Sequence, residues 1–249
     1  MINTVLKSIK VLELLGKEPN LGVTDISEAL MIPKSSAHGI LKTLQNEGLV
    51  TRNELSGKFY LGVKLIELGN LAQKNLDICK IAAPFLNGLN KQFDETVHLT
   101  VLDNDEVLYI DCIESKKRLR TYSVIGVRAP LYCTAVGKAI LAFLPESEIK
   151  RIIMEKGLEK ITENTITTEE RMFEEIKKIR LQGYAIDDME HEDFRCIGAP
   201  IRDAHGDVFA SISLSGPAER NTMEKLIEIS QFLIDATDNI SKRLGYSIK

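Results

Sequence analysis

Three serines at alternate positions, Ser211, Ser213 and Ser215, have a spacing that suggests a binding chemistry. In a strand, alternate residues face the same way, so the three hydroxyls share one face and Ala210, Ile212 and Leu214 take the other. Such hydroxyls either meet solvent or line a cavity for a small polar ligand, because buried polar groups need partners. A second stretch, Pro130-Leu131-Tyr132-Cys133-Thr134-Ala135-Val136-Gly137-Lys138, ends a turn in a threonine and opens a helix with small residues. Thr134 suits an N-cap, and the amides of Ala135 and Val136 would then be open to a carboxylate. An ordinary packed helix start is the alternative.

A third set lies near the N-terminus. Ala37, Ile40, Leu41 and Leu44 repeat at helical spacing and form one apolar face. Ser35, His38, Gly39 and Lys42 share the opposite face with Ser36 beside them, and no carboxylate appears before Glu47. Short donors near a helix N-terminus and a cation further along suit entry into a DNA major groove. An amphipathic surface helix would show the same apolar stripe, so the flanking elements decide.

Those elements run as follows. A helix opened by Val5, Ile9 and Leu12 stops at Pro19 to Gly22. A short helix from Thr24 to Leu30 follows, with Thr24 as its expected cap, and Pro33 starts the third. Leu49 to Arg52 and Lys58 to Leu61 read as two strands around a turn, a hairpin whose flanks carry Arg52 and Lys58. Three helices and a wing predict a winged helix-turn-helix, in which Lys34 and Lys42 would meet phosphates. Leu61, Leu65, Leu68 and Ala72 continue a helical repeat through Gly62 to Gln73, a connecting helix able to pair with its copy in a dimer. From Ile78 the pattern is mixed. Helices are expected over Ile81–Phe93, Ala135–Leu144, Ser147–Lys156, Glu169–Gln182 and Thr222–Leu244. Strands are expected over Thr96–Leu102, Glu106–Cys112, Arg120–Ile125, Gly183–Ile186, Ile197–Arg202 and Val208–Ser215. The expected division is therefore residues 1–64, a linker helix at 65–77, and a larger domain at 78–249.

Composition narrows the class. The chain has 249 residues, 44% hydrophobic and 27% charged, with a net charge of -4, as expected of a globular protein with a real core. The first 64 residues hold eight Lys and Arg against six Asp and Glu, so the acidic excess lies in the larger domain. The apolar stretch from Val5 to Leu15 is broken by Lys7, Ser8, Lys10 and Glu13, which argues against a signal peptide or membrane span and predicts a cytoplasmic protein. Four separated cysteines without a CxxC pair predict free thiols. Cys196 with His191, or Cys133 with His98, are thiol and imidazole pairs that an enzyme would need. Together with Asp187 they are also metal-ligand types. No orienting third group accompanies the first idea and no metal spacing the second. A metal- or thiol-dependent sensor or enzyme is thus the alternative, and a non-enzyme without a cofactor the main expectation.

Several separated segments carry a family likeness. They are Ile32-Pro33-Lys34-Ser35-Ser36-Ala37-His38, Tyr60-Leu61-Gly62 with Leu65 to Gly69, Glu95-Thr96-Val97-His98-Leu99, and Pro130 to Lys138. Gly183 to Asp188, Arg195 to Pro200 and Ser213 to Pro217 complete the series. Along essentially its whole length the chain resembles the IclR family of transcriptional regulators. The resemblance implies an α+β protein: a winged helix-turn-helix, a linker helix and a GAF-like α/β effector-binding domain. It implies a homodimer or homotetramer on double-stranded operator DNA, and a small carboxylate effector. The acid's carboxylate would meet the amides of Ala135 and Val136, and its other polar groups Asp187, Cys196, Ser213 and Ser215. Two departures stand out. Gly39 occupies a position where the family usually has a larger, often basic residue. The stretch Asp187 to Cys196 is one residue shorter than usual and lacks the family's glycine, which puts the relative placement of those two residues at issue.

Overall fold

The computed structural model describes residues 3–121, 125–190 and 194–247. The chain divides into two compact units, Met1–Asn75 and Leu76–Lys249.

The first unit runs α1 (Asn3–Lys17), α2 (Val23–Ala29), α3 (Lys34–Asn46), β1 (Val50–Arg52), β2 (Phe59–Leu61) and α4 (Lys64–Asn75). Its core takes Val11 and Leu15 from α1, Ile26 from α2, Ala37, Ile40, Leu41 and Leu44 from α3, and Val50 and Phe59 from the hairpin. The helical stripe anticipated on α3 is thus its buried face. β1 and β2 pair antiparallel with Val50 opposite Leu61 and Arg52 opposite Phe59. Gly62 is required where it stands, since a Cβ there would collide with the carbonyl oxygen of Gly48. That approach seats the end of the hairpin on the turn that closes α3.

Two expectations for this unit are corrected. Thr24 does not cap α2: the helix starts one residue sooner, Gly22 is the N-cap, and its amide donates to the Asp25 carboxylate at 2.8 Å. Leu61 does not begin the connecting helix, because its backbone is taken by the pairing with Val50. The stripe on α4 is therefore Leu65, Leu68 and Ala72, and none of that helix is buried.

The second unit is built on a six-stranded sheet in the order β5-β4-β3-β8-β7-β6. Its elements are α5 (Asp77–Phe93), β3 (Thr96–Asp103), β4 (Glu106–Ile113), β5 (Arg128–Pro130), α6 (Ala135–Leu141), α7 (Glu146–Lys156) and α8 (Glu169–Gln182). β6 (Ala185–Asp188), β7 (Phe194–Arg202), β8 (Val208–Pro217) and α9 (Met223–Arg243) follow. All five strand pairs are antiparallel. Alternation sorts the two faces. Val97, Leu99, Ile197, Ile212 and Leu214 pack in one core cluster with Leu86 of α5 and with Leu226, Ile229 and Leu233 of α9. On the other face stand His98, Cys196, Ser211, Ser213 and Ser215. There the short helix α6 and, beyond it, α7 and α8 form a second cluster around Val136, Ile140, Ile149, Met172 and Ile176.

The strand expected over Arg120–Ile125 is corrected in part. Arg120, Thr121 and Ile125 lie outside any strand, and residues 122–124 lie outside the described residues. Arg120 instead donates to the carbonyl of Lys117 at 3.3 Å. The pairing goes to β5, where Ala129 faces Val107; it is an edge strand, the place where Pro130 costs no ladder bond. Helix α5 begins at Asp77, four residues before the expected start, and α6 ends at Leu141 rather than Leu144.

Candidate functional site

The polar face of the sheet bounds a cavity of about 340 Å³. Its floor follows from register. Ser215 of β8 lies opposite Thr96 of β3 on one side and Cys196 of β7 on the other, and Cys196 lies opposite Asp187 of β6. One row across four strands therefore brings together residues more than a hundred positions apart. The short stretch from Asp187 to Cys196 leaves the two residues as direct strand partners. In the next row His98 faces Ser213, which faces Gly198.

Gly198 explains how α6 reaches this floor. A Cβ there would lie 2.6 Å from the carbonyl oxygen of Ala135, so only glycine admits the start of α6. Thr134 caps that helix: its hydroxyl accepts from the Gly137 amide at 3.0 Å and donates to the Pro130 carbonyl at 3.0 Å. The amides of Ala135 and Val136 are left to other acceptors. All six residues expected around an effector, Ala135, Val136, Asp187, Cys196, Ser213 and Ser215, line this one cavity. Ser211 does not; its hydroxyl is held by the Val136 carbonyl at 3.0 Å and by Thr100 at 2.8 Å. The serine face is buried, which removes the solvent-facing alternative.

Several lining residues escape the sequence reading of an effector site. His98 is 4% exposed, and its Nδ1 lies 3.4 Å from the Ser213 hydroxyl and 3.5 Å from that of Ser215. Burial lowers its pKa to about 4, so the ring is neutral at pH 7. The period-two alternation of Thr96, His98 and Thr100 is the available signal. Arg120 and Arg128 stand at the cavity wall, paired with Glu114 and Asp103 respectively. Behind the wall, Lys138 is 1% exposed and pairs with Glu190 and, at 3.5 Å, with Glu175. Burial raises the Glu190 carboxyl above its ordinary value. The Glu190 amide donates to Asp187 at 2.7 Å, which ties this pair to the floor.

The thiol chemistry finds no support at Cys133. Burial pushes it up to about 12, reinforced by Asp187 and Glu190, so it stays a thiol. His191 lies outside the described residues. Among the described residues, no three His, Cys, Asp or Glu side chains gather as a ligand set for a metal ion.

In the first unit, Lys34, Ser35, His38, Gly39 and Lys42 are exposed on α3, and Ser36 lies beside them. A side chain at Gly39 would meet nothing within 4 Å, so packing does not demand the glycine; its effect is to leave that part of the helix bare. Lys58 is exposed on the wing. Arg52 is exposed too, but it donates to the Gly57 carbonyl at 3.2 Å and lies 5.6 Å from the Phe59 ring centre. It holds the hairpin together whatever else it touches.

The chain matches two family descriptions, the IclR helix-turn-helix domain over residues 4–54 and the bacterial transcriptional regulator IclR C-terminal over residues 71–242. It belongs to the IclR family. Its relatives include the HTH-type transcriptional regulator KdgR of Escherichia coli, 38% identical over 98% of this chain and 94% of that protein. The crystal structure of the Thermotoga maritima IclR is 37% identical, covers 99% of this chain and 100% of its own, and superposes with a TM-score of 0.79. An IclR homologue from Microbacterium hydrocarbonoxydans, solved in complex with 4-hydroxybenzoate, shares the fold at a TM-score of 0.84 and 23% identity. It covers 98% of this chain and 100% of its own. As an IclR-family member this protein is a DNA-binding transcriptional regulator rather than an enzyme. No described helix is long and apolar enough to cross a membrane.

Proposed function

We propose that this regulator binds operator DNA through α3 and the wing, and that a small organic acid in the 340 Å³ cavity changes its operator affinity. One observation carries the second half: the start of α6, two buried serines, His98, Asp187 and Cys196 converge on a single cavity from five separate stretches of chain. The acid's carboxylate would meet the amides of Ala135 and Val136, and an oxo or hydroxy group would meet Ser213 and Ser215. Asp187, if ionised, would repel a nearby carboxylate, so it would face a ligand hydroxyl or take up a proton when the site is occupied. The homologue bound to 4-hydroxybenzoate, a carboxylic acid, supports this reading by analogy.

On DNA, Lys34, Lys42, Arg52 and Lys58 would contact phosphates and Ser35, Ser36 and His38 base edges, with Gly39 leaving room for the groove wall. The protein would act in the cytoplasm as a homodimer or homotetramer, since one helix-turn-helix reads few base pairs. In this division, residues 1–64 bind DNA, 65–77 link, and 78–249 bind effector. Exposed apolar side chains on α1 and α4, such as Ile9 at 46% and Leu68 at 45%, support a paired first unit.

A Ser213→Ala, Ser215→Ala protein tests the effector half of this reading. It should bind operator as wild type does and lose most of its response to acids that release or recruit the wild type. Each neutral hydrogen bond lost should cost about 0.5–1.5 kcal/mol of effector affinity. Operator-shift assays and calorimetry would check this. Equal effector affinity in both proteins would move the site elsewhere.

A further inference from the structure

We propose that Glu95 is a positioning residue for the acid site: without lining the cavity, it holds in place the stretch of chain that forms one of its walls. This rests on the proposed acid site and adds a residue that acts on it from behind.

Glu95 is fully buried and is not part of the cavity lining. Three cations from two separate stretches of chain meet its carboxylate. Arg220 grips it with two bonds, Nε to Oε1 at 3.0 Å and Nη2 to Oε2 at 2.8 Å. Lys117 lies 3.1 Å and Lys225 3.3 Å from Oε1. The end of β8 makes room for the group, since a Cβ on Gly216 would stand 2.6 Å from Oε2. A carboxylate taken wholly out of water keeps its charge only in such company.

Two ties run from this cluster to the cavity wall. Lys117 belongs to the stretch 115–121, whose Leu119, Arg120 and Thr121 line the cavity. The Arg220 Nη2 that bonds Glu95 also donates to the Leu119 carbonyl at 2.8 Å. The carboxylate thus fixes the guanidinium, and the guanidinium fixes the backbone. Other bonds anchor the start of the stretch: the Ser115 hydroxyl donates to the Asp94 carbonyl at 2.8 Å, and the Lys116 amide to the Asp94 carboxylate at 3.0 Å. Arg120 bonds nearer home, to the Lys117 carbonyl and in an ion pair with Glu114. Beyond Lys116, the hold on the rest of the unit runs chiefly through the groups gathered on Glu95.

Without the Glu95 charge, three cations stand together with nothing to offset their repulsion. Their side chains are partly exposed, at 34% for Lys117, 29% for Arg220 and 28% for Lys225, so each can turn toward water. When Lys117 and Arg220 turn away, both ties to the wall are lost.

The test reads two thiols in the full-length protein. Cys196 lines the cavity, whereas Cys79 packs in the core cluster on the other face of the sheet. Alkylation by iodoacetamide, followed at each cysteine by mass spectrometry, reports opening at the two places separately. Glu95→Gln should label Cys196 about fivefold or more faster than wild type, with Cys79 unchanged. Arg220→Lys, which keeps the charge but loses the fork, should do the same. Glu95→Asp, which keeps the carboxylate, should recover much of the wild-type rate. Calorimetry with 2-oxobutanoate, gluconate and 4-hydroxybenzoate supplies the second readout. An acid that binds wild type should bind the two loosened proteins about tenfold or more weakly. A wild-type rate at Cys196 in both variants overturns the proposal. So does labelling of Cys79 that rises in step with Cys196, as general destabilisation would produce. Faster labelling of Cys196 with unchanged acid affinity also overturns it. Should no acid bind wild type, the acid-site reading falls, and the labelling still decides whether Glu95 holds the wall. Arg220→Lys leaves the buried carboxylate neutralised, so it tests the proposal even where Glu95→Gln does not fold.

Discussion

On α3, every side chain proposed to meet DNA comes from one run of thirteen residues and is exposed or half-exposed. The cavity of the second unit gathers its polar groups from β3, β6, β7, β8 and the start of α6, and buries most of them. The difference is energetic as well as topological. An exposed lysine or serine keeps its water, so each contact with DNA adds a small, separable and salt-dependent increment. A buried carboxylate, ammonium or imidazole has lost its water and is stable only in the company it keeps. The first kind of site is tuned residue by residue. The second is changed as a unit.

The sharpest way to break that comparison is at Lys138. Among the described residues it is the one cation on Glu190, so replacing it with Met leaves a buried carboxylate unpaired. Breaking one side of a buried pair costs about 3–5 kcal/mol. Denaturant unfolding should show a loss of that order, and the double variant Lys138→Met, Glu190→Gln should recover much of it. A loss under about 1 kcal/mol in the single variant would mean that the cavity wall relaxes as freely as a surface.

How much of this is legible in the sequence follows the same divide. The α3 stripe of Ala37, Ile40, Leu41 and Leu44 is local, so helical spacing alone identifies the buried face and, by subtraction, the outer one. Likewise the alternation around Ser213 and Ser215 marks a strand with a polar face. What spacing does not contain is register between distant strands. Nothing in the residues around position 98 says that His98 faces Ser213, and Asp187 and Cys196 come into view as neighbours only through family likeness. Thr24 misleads because Gly22, with no side chain to signal a cap, is served by Asp25 from inside the helix. At Arg120, Thr121 and Ile125 the sequence misleads because the β-branched and aromatic residues of that stretch suggest a strand, whereas the sheet edge takes the three residues Arg128–Pro130.

A second test uses pH. His98 takes a proton near its ordinary value of 6.5 when unfolded, but only at about 4 when folded. Between those values the unfolded chain binds more protons, so stability falls as pH drops from 6.5 to 4 and this contribution levels off below. The total is roughly 3 kcal/mol. Glu95 acts in the same sense at lower pH. It is fully buried, yet bonds from Arg220, Lys117 and Lys225 hold its carboxyl below the ordinary range, so its stabilisation is lost as pH falls through that lowered value. Unfolding wild type and His98→Asn at pH 7 and pH 5 should show a smaller pH loss in the variant. Equal losses would remove His98 from the account.

The smallest effect is expected on the exposed side of the comparison. Lys42 lies on the outer face of α3, exposed to solvent. Its contribution to folding should therefore be negligible, and Lys42→Ala should unfold as wild type does. On DNA, loss of one phosphate contact should lower the magnitude of the salt slope of operator binding by about 0.9 and weaken specific and non-specific sequences alike. Ser36→Ala behaves differently if Ser36 meets a base edge: the salt slope should stay, and only the preference for operator over random DNA should shrink. Fluorescence titrations at several salt concentrations, with operator and scrambled duplexes, separate the two. A Lys42→Ala protein that loses preference but keeps its slope would exchange the two roles. Identical behaviour of both variants and wild type would remove the outer face of α3 from the DNA interface.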